Sequence, residues 1–176
     1  KSELGSSLIT REDELNHLLS SDELDIVVAA IVGIAGLNSV TNAVKSGKHI
    51  LLANKESYIV AGEILNQLSN ESGATIFPID SEHRAIHQCL SGIKDQKSIS
   101  KLILTGSGGP FLDRDINTFN EITPEEAISH PVWNMGPKIS VDSSTMMNKC
   151  LEIIEARWLF NNKNISVFKR SMFEPM

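Results

Sequence analysis

Apolar and polar residues follow two different periods along this chain. Short β-branched runs predict buried strands over residues 25–33, 49–53, 75–79 and 101–105. Between them, apolar positions three and four residues apart predict helices over about 11–19, 35–46, 61–69 and 82–90. Gly47 and Gly73 stand just past two of these helices, where glycine commonly ends a helix. The alternation of strand and helix predicts an α/β fold with a mainly parallel sheet.

The pattern changes after the fourth strand. Residues 111–137 are polar and contain three prolines, and a connection of this length is usually functional or mobile. Residues 138–142 are predicted as a short strand and residues 143–160 as one long helix. From Asn161 onward the chain is polar and only weakly patterned.

Charge and composition exclude several classes of partner. The chain has 176 residues and a net charge of -6, which argues against non-specific nucleic-acid binding because that needs a basic face. Its longest apolar run, residues 26–35, is too short to span a bilayer. Two cysteines make no disulfide framework, which favours a reducing compartment. We therefore expect neither nucleic acid nor membrane as a partner, while a phosphorylated small molecule needs only a few local cations.

The segment 80–83, Asp-Ser-Glu-His, is the first candidate site. It follows a predicted strand, and ligands of open α/β sheets bind beyond the carboxyl ends of strands. Asp80 and Glu82 would leave an extended backbone on the same side, and paired carboxylates suit Mg²⁺ or Mn²⁺. For the segment by itself, the simpler explanation is that Asp80 caps a helix and Glu82 favours its positive end.

A polar stripe on the helix predicted over 143–160 is the second candidate. It contains Thr145, Asn148, Glu152 and Glu155, and such a stripe is usually a solvated face. Ser143, Asn148 and Lys149 fall in its first turns, where hydroxyl, amide and ammonium donors suit a phosphate.

Two loops complete the candidates. The glycines of 105–110 let backbone N–H groups approach an anion and Ser107 adds a hydroxyl, although the loop matches neither a Walker nor a dinucleotide fingerprint. The segment 130–136, His-Pro-Val-Trp-Asn-Met-Gly, suits a lid that excludes water, or a loop that Trp133 pins to the core.

Taken together, these strings resemble the 1-deoxy-D-xylulose 5-phosphate reductoisomerase family. The resemblance covers about residues 25–161, with the strings AAIVG, AGL, LLANKES, PIDSEH, LTGSGGPF, HPVWNMG, KISVDSSTMMNK and EARWLFN in the family's order. It implies the end of a Rossmann-like NADPH-binding domain over 1–74, an α/β catalytic domain over 75–161 with a lid at about 108–137, and an unmatched tail over 162–176. It also implies NADPH and either Mg²⁺ or Mn²⁺ as cofactors, and a phosphorylated ketose as substrate.

The resemblance further implies roles for individual residues. As metal ligands it implies Asp80, Glu82 and Glu152. As substrate contacts it implies Ser81, Ser107, His130, Ser143, Asn148 and Lys149. As cofactor contacts it implies Gly33, Asn54, Lys55, Glu56, Met135 and Gly136. Among these, Lys55, Glu82 and His130 would take catalytic parts.

The chain also departs from the family pattern. Cys150 stands where the family usually has glycine, and no GSTGSIG-type string is present. We therefore expect no NADPH turnover by this chain alone, with a metal- and sugar-phosphate-binding module without redox activity as the alternative. The family further implies a homodimer of the full-length enzyme and a bacterial cytoplasmic or plastid-type location.

Overall fold

The computed structural model describes residues 11–106, 108–129 and 136–169. The chain divides into two compact units, with the boundary between Asp80 and Ser81. Each unit has its own parallel sheet, so the predicted α/β class is confirmed in both.

The described part of the first unit alternates helix and strand. Its elements are α1, Glu12–Ser20; β1, Ile26–Ala29; α2, Leu37–Lys45; β2, His49–Leu52; α3, Lys55–Ser72; and β3, Thr75–Pro78. The strands lie in the order β1-β2-β3 and are parallel, with Ile26 opposite His49 and His49 opposite Thr75. Helix α3 begins six residues earlier than the apolar spacing predicts, because the side chain of Asn54 accepts a hydrogen bond from the Ser57 N–H and caps the helix.

The core of the first unit lies between α2, α3 and β2. Val44, Ile50, Leu52 and Leu65 are each fully buried, and each such side chain contributes about 1.5–3 kcal/mol when removed from water. The helix ends predicted at Gly47 and Gly73 are confirmed, since both glycines have the left-handed backbone.

Strand β1 is less buried than its β-branched sequence predicts. It lies at an edge of the three-stranded sheet, and Ile26 and Val28 are 56% and 61% exposed. An apolar edge strand of this kind can pair with another chain, so we predict self-association through this strand.

The second unit contains the longer connection. Its described elements are α4, Ser81–Leu90; β4, Leu102–Gly106; α5, Pro124–Ile128; α6, Pro137–Ser144; α7, Met147–Leu159; and β5, Ile165–Lys169. Strands β4 and β5 pair in parallel from Leu102 opposite Ile165 to Gly106 opposite Lys169. Strand β5 was not predicted, because its alternation spans only five residues of a polar segment.

Two secondary-structure predictions in this unit are wrong. Residues 138–142 belong to helix α6, which begins with Pro137 at a position that suits proline and has a Lys138–Asp142 ion pair of 2.8 Å one turn apart. The helix predicted over 143–160 is broken, since Met146 takes the left-handed conformation and α7 begins after it. The alternation of Ile139 and Val141 over so few residues does not distinguish a strand from one turn of helix.

The described part of the predicted lid has local structure. Residues Ile116–Glu121 form a 3₁₀ helix, and Thr123 and Glu126 form a capping box at the start of α5. Among the described residues, no helix is both long and apolar enough to cross a membrane.

Candidate metal and anion site

Three carboxylates converge at the start of helix α4. Asp80 directly precedes α4, Glu82 lies in its first turn, and Glu152 lies in the middle of α7. One ligand oxygen from each lies within 4.8 Å of the other two. The extended geometry assumed for residues 80–82 is wrong, because Glu82 is already helical, yet the convergence is present. Oxygen ligands in this arrangement suit a hard divalent cation such as Mg²⁺ or Mn²⁺.

The ammonium group of Lys149 lies between two of these carboxylates. Its Nζ is 2.8 Å from Oε1 of Glu82 and 2.7 Å from Oε2 of Glu152, and it donates to the backbone oxygen of Thr105 at 2.9 Å. A lysine ammonium has three N–H donors, so these three oxygens use all of them. Lys149 therefore acts as an internal counter-ion of the carboxylate cluster.

Burial and charge act in opposite directions on Lys149. Burial alone would lower its pKa, but the hydrogen bonds to Glu152 and Glu82 outweigh that effect and raise the pKa above its ordinary value of 10.5. The side chain consequently remains an ammonium ion at neutral pH, and it loses its proton only in strongly alkaline solution.

Other predicted site residues also contact the cluster. Nζ of Lys55 lies 3.2 Å from Oδ2 of Asp80. Asn148 donates from Nδ2 to Oε1 of Glu152 at 2.5 Å, and the Ser81 hydroxyl donates to Oε2 of Glu82 at 2.5 Å. The carboxylates of the cluster thus receive contacts from an ammonium group, an amide and a hydroxyl.

Two members of the predicted polar stripe, Glu152 and Glu155, are buried in α7, which corrects their interpretation as part of a solvated face, whereas Thr145 is exposed and precedes the helix. Glu152 and Glu155 are 0% and 1% exposed. Buried carboxylates are costly unless they are paired, and Lys149 and His83 supply the partners here. A second correction concerns Ser143, which lies near the end of α6 rather than in the first turn of the helix that contains Asn148 and Lys149.

His83 and Glu155 are residues of the site that the sequence interpretation missed. His83 is fully buried, with Nε2 3.0 Å from the backbone oxygen of Glu152 and Nδ1 3.3 Å from Oε2 of Glu155. The available signals were the position of His83 directly after Glu82 and the three-residue spacing of Glu152 and Glu155.

The glycine loop approaches the same helices. A Cβ atom on Gly106 would lie 3.2 Å from Cε of Lys149, and one on Gly109 would lie 2.7 Å from the backbone oxygen of Ser143. Glycine at these positions therefore permits the close approach of the loop to Lys149 and to the end of α6. Gly106 thus lies beside the Lys149 side chain and Gly109 beside the Ser143 backbone, while the shared phosphate pocket stays a prediction.

Three other cofactor residues predicted in the first unit, Gly33, Asn54 and Glu56, lie around the loop after β1 and the start of α3. Asn54 is buried, and its Nδ2 donates to the backbone oxygens of Gly33, at 2.7 Å, and Ile31. Its Oδ1 accepts from the N–H of Ser57 at 2.9 Å. Asn54 therefore shapes the loop after β1, where Gly33 has a φ of 76°, and Glu56 lies half-buried in the first turn of α3.

The remaining predicted residues are only partly described. Gly136 is exposed and directly precedes α6. Ser107, His130 and Met135 lie outside the described residues, so their predicted roles remain predictions.

Comparison with protein families gives two matches. The family model of 1-deoxy-D-xylulose 5-phosphate reductoisomerase matches residues 1–62, and the model of the C-terminal domain of the same enzyme matches residues 76–160. Curated relatives with this name include proteins of Shewanella piezotolerans, 53% identical over 169 residues, and Haemophilus ducreyi, 52% identical over 167 residues. These matches cover 91% and 90% of this chain, and 43% and 42% of the two relatives.

Solved structures agree with the sequence matches. A crystal structure of DOX-P reductoisomerase in complex with NADPH, fosmidomycin and magnesium superposes with a TM-score of 0.85 at 48% identity, covering 90% of this chain and 42% of that one. The enzyme from Zymomonas mobilis in complex with NADPH gives a TM-score of 0.79 at 40% identity, covering 89% and 40%. The chain spans less than half the length of these relatives and belongs to the 1-deoxy-D-xylulose 5-phosphate reductoisomerase family.

Proposed function

We propose that this chain supplies the metal- and substrate-binding residues of a reductoisomerase. The reaction is the conversion of 1-deoxy-D-xylulose 5-phosphate to 2-C-methyl-D-erythritol 4-phosphate, with NADPH and a divalent cation, in non-mevalonate isoprenoid precursor synthesis. The observation that carries the proposal is the convergence of Asp80, Glu82 and Glu152 within 4.8 Å. Solved relatives in complex with NADPH and magnesium support the choice of cofactors.

The carboxylate cluster fits the metal. Asp80, Glu82 and Glu152 would hold it, and a bound divalent cation supplies a Lewis acid that polarises a carbonyl oxygen. Glu152 is fully buried and Glu82 lies on a different helix, so the site is held by the packing of the protein rather than by one flexible loop.

The neighbouring donors fit the phosphorylated ketose. Lys149 and Asn148 would provide an ammonium and an amide, Ser143 and Ser107 would provide hydroxyls, and Ser81 would contact the substrate beside Glu82. Because Lys149 uses its three donors on protein oxygens, it must release at least one of them to bind a phosphate. A cation on Glu82 and Glu152 would replace Lys149 there, so metal and phosphate should bind cooperatively.

Roles toward NADPH are proposed for the remaining residues. NADPH supplies a hydride, and Lys55 would place its ammonium near the reacting oxygens through its position at Asp80. Gly33, Asn54 and Glu56 would shape the cofactor side in the first unit, and Met135 and Gly136 would belong to a lid that also includes His130. The lid would exclude water from the reacting centre.

Mn²⁺ binding to the purified 176-residue chain tests the metal site. We expect binding by calorimetry that Glu152→Gln weakens at least tenfold, because one buried anionic ligand is lost. Glu125→Gln is the matched control, since Glu125 is exposed in the first turn of α5. An equal affinity of the wild type and Glu152→Gln would refute the proposed site.

A second candidate function is a module that binds metal and sugar phosphate without redox chemistry. It is favoured by the convergence of all three carboxylates beside the donors of Lys149 and Asn148, a set of groups that needs no nicotinamide cofactor. NADPH absorbance of the chain with Mn²⁺ and 1-deoxy-D-xylulose 5-phosphate tests the module. We expect no NADPH oxidation by this chain alone, and oxidation that depends on both metal and substrate would refute the module.

A further inference from the structure

His83 links the two helices that carry metal ligands. It follows Glu82 on α4, and both of its ring nitrogens face α7, Nε2 toward the backbone oxygen of Glu152 and Nδ1 toward the carboxylate of Glu155. His83 and Glu155 are 0% and 1% exposed. Neither residue belongs to the three clustered carboxylates or to the donors proposed for the phosphate.

The hydrogen-bonding capacity of the ring determines how the link works. A carbonyl oxygen only accepts, so Nε2 of His83 must carry a proton to bond to Glu152. The second contact places Oε2 of Glu155 3.3 Å from Nδ1, the other nitrogen of the ring. The ring therefore contacts α7 through both nitrogens, and the hydrogen bond is the one to the backbone oxygen of Glu152.

This link differs from the one that Lys149 makes. Lys149 joins α7 to α4 through the carboxylates of Glu82 and Glu152, which a bound cation would take over. His83 contacts the backbone oxygen of Glu152 and the side chain of Glu155. Neither of these groups is one of the three clustered carboxylates. The His83 link can therefore persist when the cluster holds a metal.

We propose that His83 and Glu155 are positioning residues that hold α4 and α7 at the separation the carboxylate cluster requires. Both helices also pack against β4, which fixes their general position but not the distance between Glu82 and Glu152. The inference rests on the proposed function in one respect, that the cluster is a metal site. Partners behind the ligands of protein metal sites commonly change metal affinity by about 10–100-fold when they are removed.

The test is Mn²⁺ binding to the full chain, measured by electron paramagnetic resonance of free Mn²⁺ and by calorimetry. His83→Leu should weaken binding about tenfold, because both contacts are lost. His83→Gln should recover most of the affinity, since its amide can still donate to the backbone oxygen of Glu152. His87→Gln, one turn further along α4, is the matched control and should bind as the wild type does.

Each outcome is decisive. An affinity of His83→Leu within twofold of the wild type would overturn the positioning role while leaving the metal site intact. Equal weakening by His83→Leu and His83→Gln would also overturn it, because the rescue follows from the hydrogen bond to Glu152. If the wild type itself does not bind Mn²⁺, the proposed metal site fails, and the inference fails with it.

Folding is controlled with a second variant. Thermal melts identify variants that are folded at the temperature of the binding measurement. Where His83→Leu is not folded, Glu155→Leu decides in its place, with an expected loss of at least threefold in Mn²⁺ affinity. An unchanged affinity of Glu155→Leu would then overturn the proposal.

Discussion

Replacing Lys149 with methionine tests the internal counter-ion. The ammonium lies 2.8 Å from Glu82 and 2.7 Å from Glu152, and Glu152 is fully buried. Removing one partner of a buried ion pair costs about 3–5 kcal/mol. The Glu82 side chain is 24% exposed and keeps part of its hydration, so we expect a value near the lower end, about 3 kcal/mol.

The expected loss is large enough to measure by thermal unfolding. For a unit of this size, about 3 kcal/mol corresponds to a decrease in Tm of at least about 12 °C in metal-free buffer. Mn²⁺ should then raise the Tm of Lys149→Met by more than it raises that of the wild type, because no ammonium has to leave the carboxylates. Calorimetry should accordingly show tighter Mn²⁺ binding by the variant.

Lys138→Met is the matched control for this experiment. Lys138 also forms a 2.8 Å ion pair, with Asp142, but its side chain is 45% exposed. Pairs of this type contribute about 0.3–0.5 kcal/mol, so its Tm should change little. A Lys149→Met variant that melts with Lys138→Met, and whose Mn²⁺ affinity equals that of the wild type, would refute the counter-ion interpretation.

Three further predictions follow from the same geometry. In the Mn²⁺-loaded chain, Lys149→Ala should weaken the binding of a phosphorylated ligand at least tenfold, roughly 1.4 kcal/mol, as measured by calorimetry. The affinity for an unphosphorylated analogue should hardly change. Equal losses for both ligands would show that Lys149 acts on the fold alone. A denaturant titration should show that Gly109→Ala lowers the free energy of unfolding by about 3 kcal/mol, since its Cβ would lie 2.7 Å from the Ser143 backbone oxygen at a φ of +128°. Gly92→Ala, at a φ of +93° with no atom within 4 Å of its Cβ, should lower it by about 1 kcal/mol. Equal losses for the two variants would contradict the contact at Gly109. Between pH 7 and 10 the ion pairs of Lys149 should contribute their full stability to the wild type, because the folded-state pKa of Lys149 is raised above its ordinary value. This contribution should be lost only as the pH rises through the folded-state pKa. A loss of stability between pH 7 and 10 that occurs in the wild type and not in Lys149→Met would contradict the direction of the shift.

The alternation of strands and helices could be predicted because each element has a simple local signature. The apolar run that became β2 and the glycine after α3 both act within a few residues. The break at Met146 could not be predicted, since no glycine or proline marks it and a methionine rarely adopts the left-handed conformation. Strand β5 was missed for a related reason, because its position depends on pairing with β4 far away in the sequence.

The candidate site, too, could be predicted only in part from the sequence. Asp80 and Glu82 could be predicted as neighbouring carboxylates because they are two residues apart, although the extended geometry assumed for them is wrong, whereas the burial of Glu152 and Glu155 could not be predicted. A period of 3.6 residues identifies a polar stripe without indicating whether water or protein covers it. That distinction depends on partners such as His83, which lies 69 residues from Glu152 in the sequence.

The two parallel sheets also differ in the order in which they can form. Ile26 pairs with His49, about 23 residues away, whereas Leu102 pairs with Ile165 across about 63 residues. Closing the longer loop costs about 0.9 kcal/mol more in chain entropy, and sequence-distant pairings slow folding further. Glu152 lies within that longer loop. Folding of the first unit should therefore precede assembly of the carboxylate cluster, and a divalent cation added during refolding should accelerate or trap only the later phase.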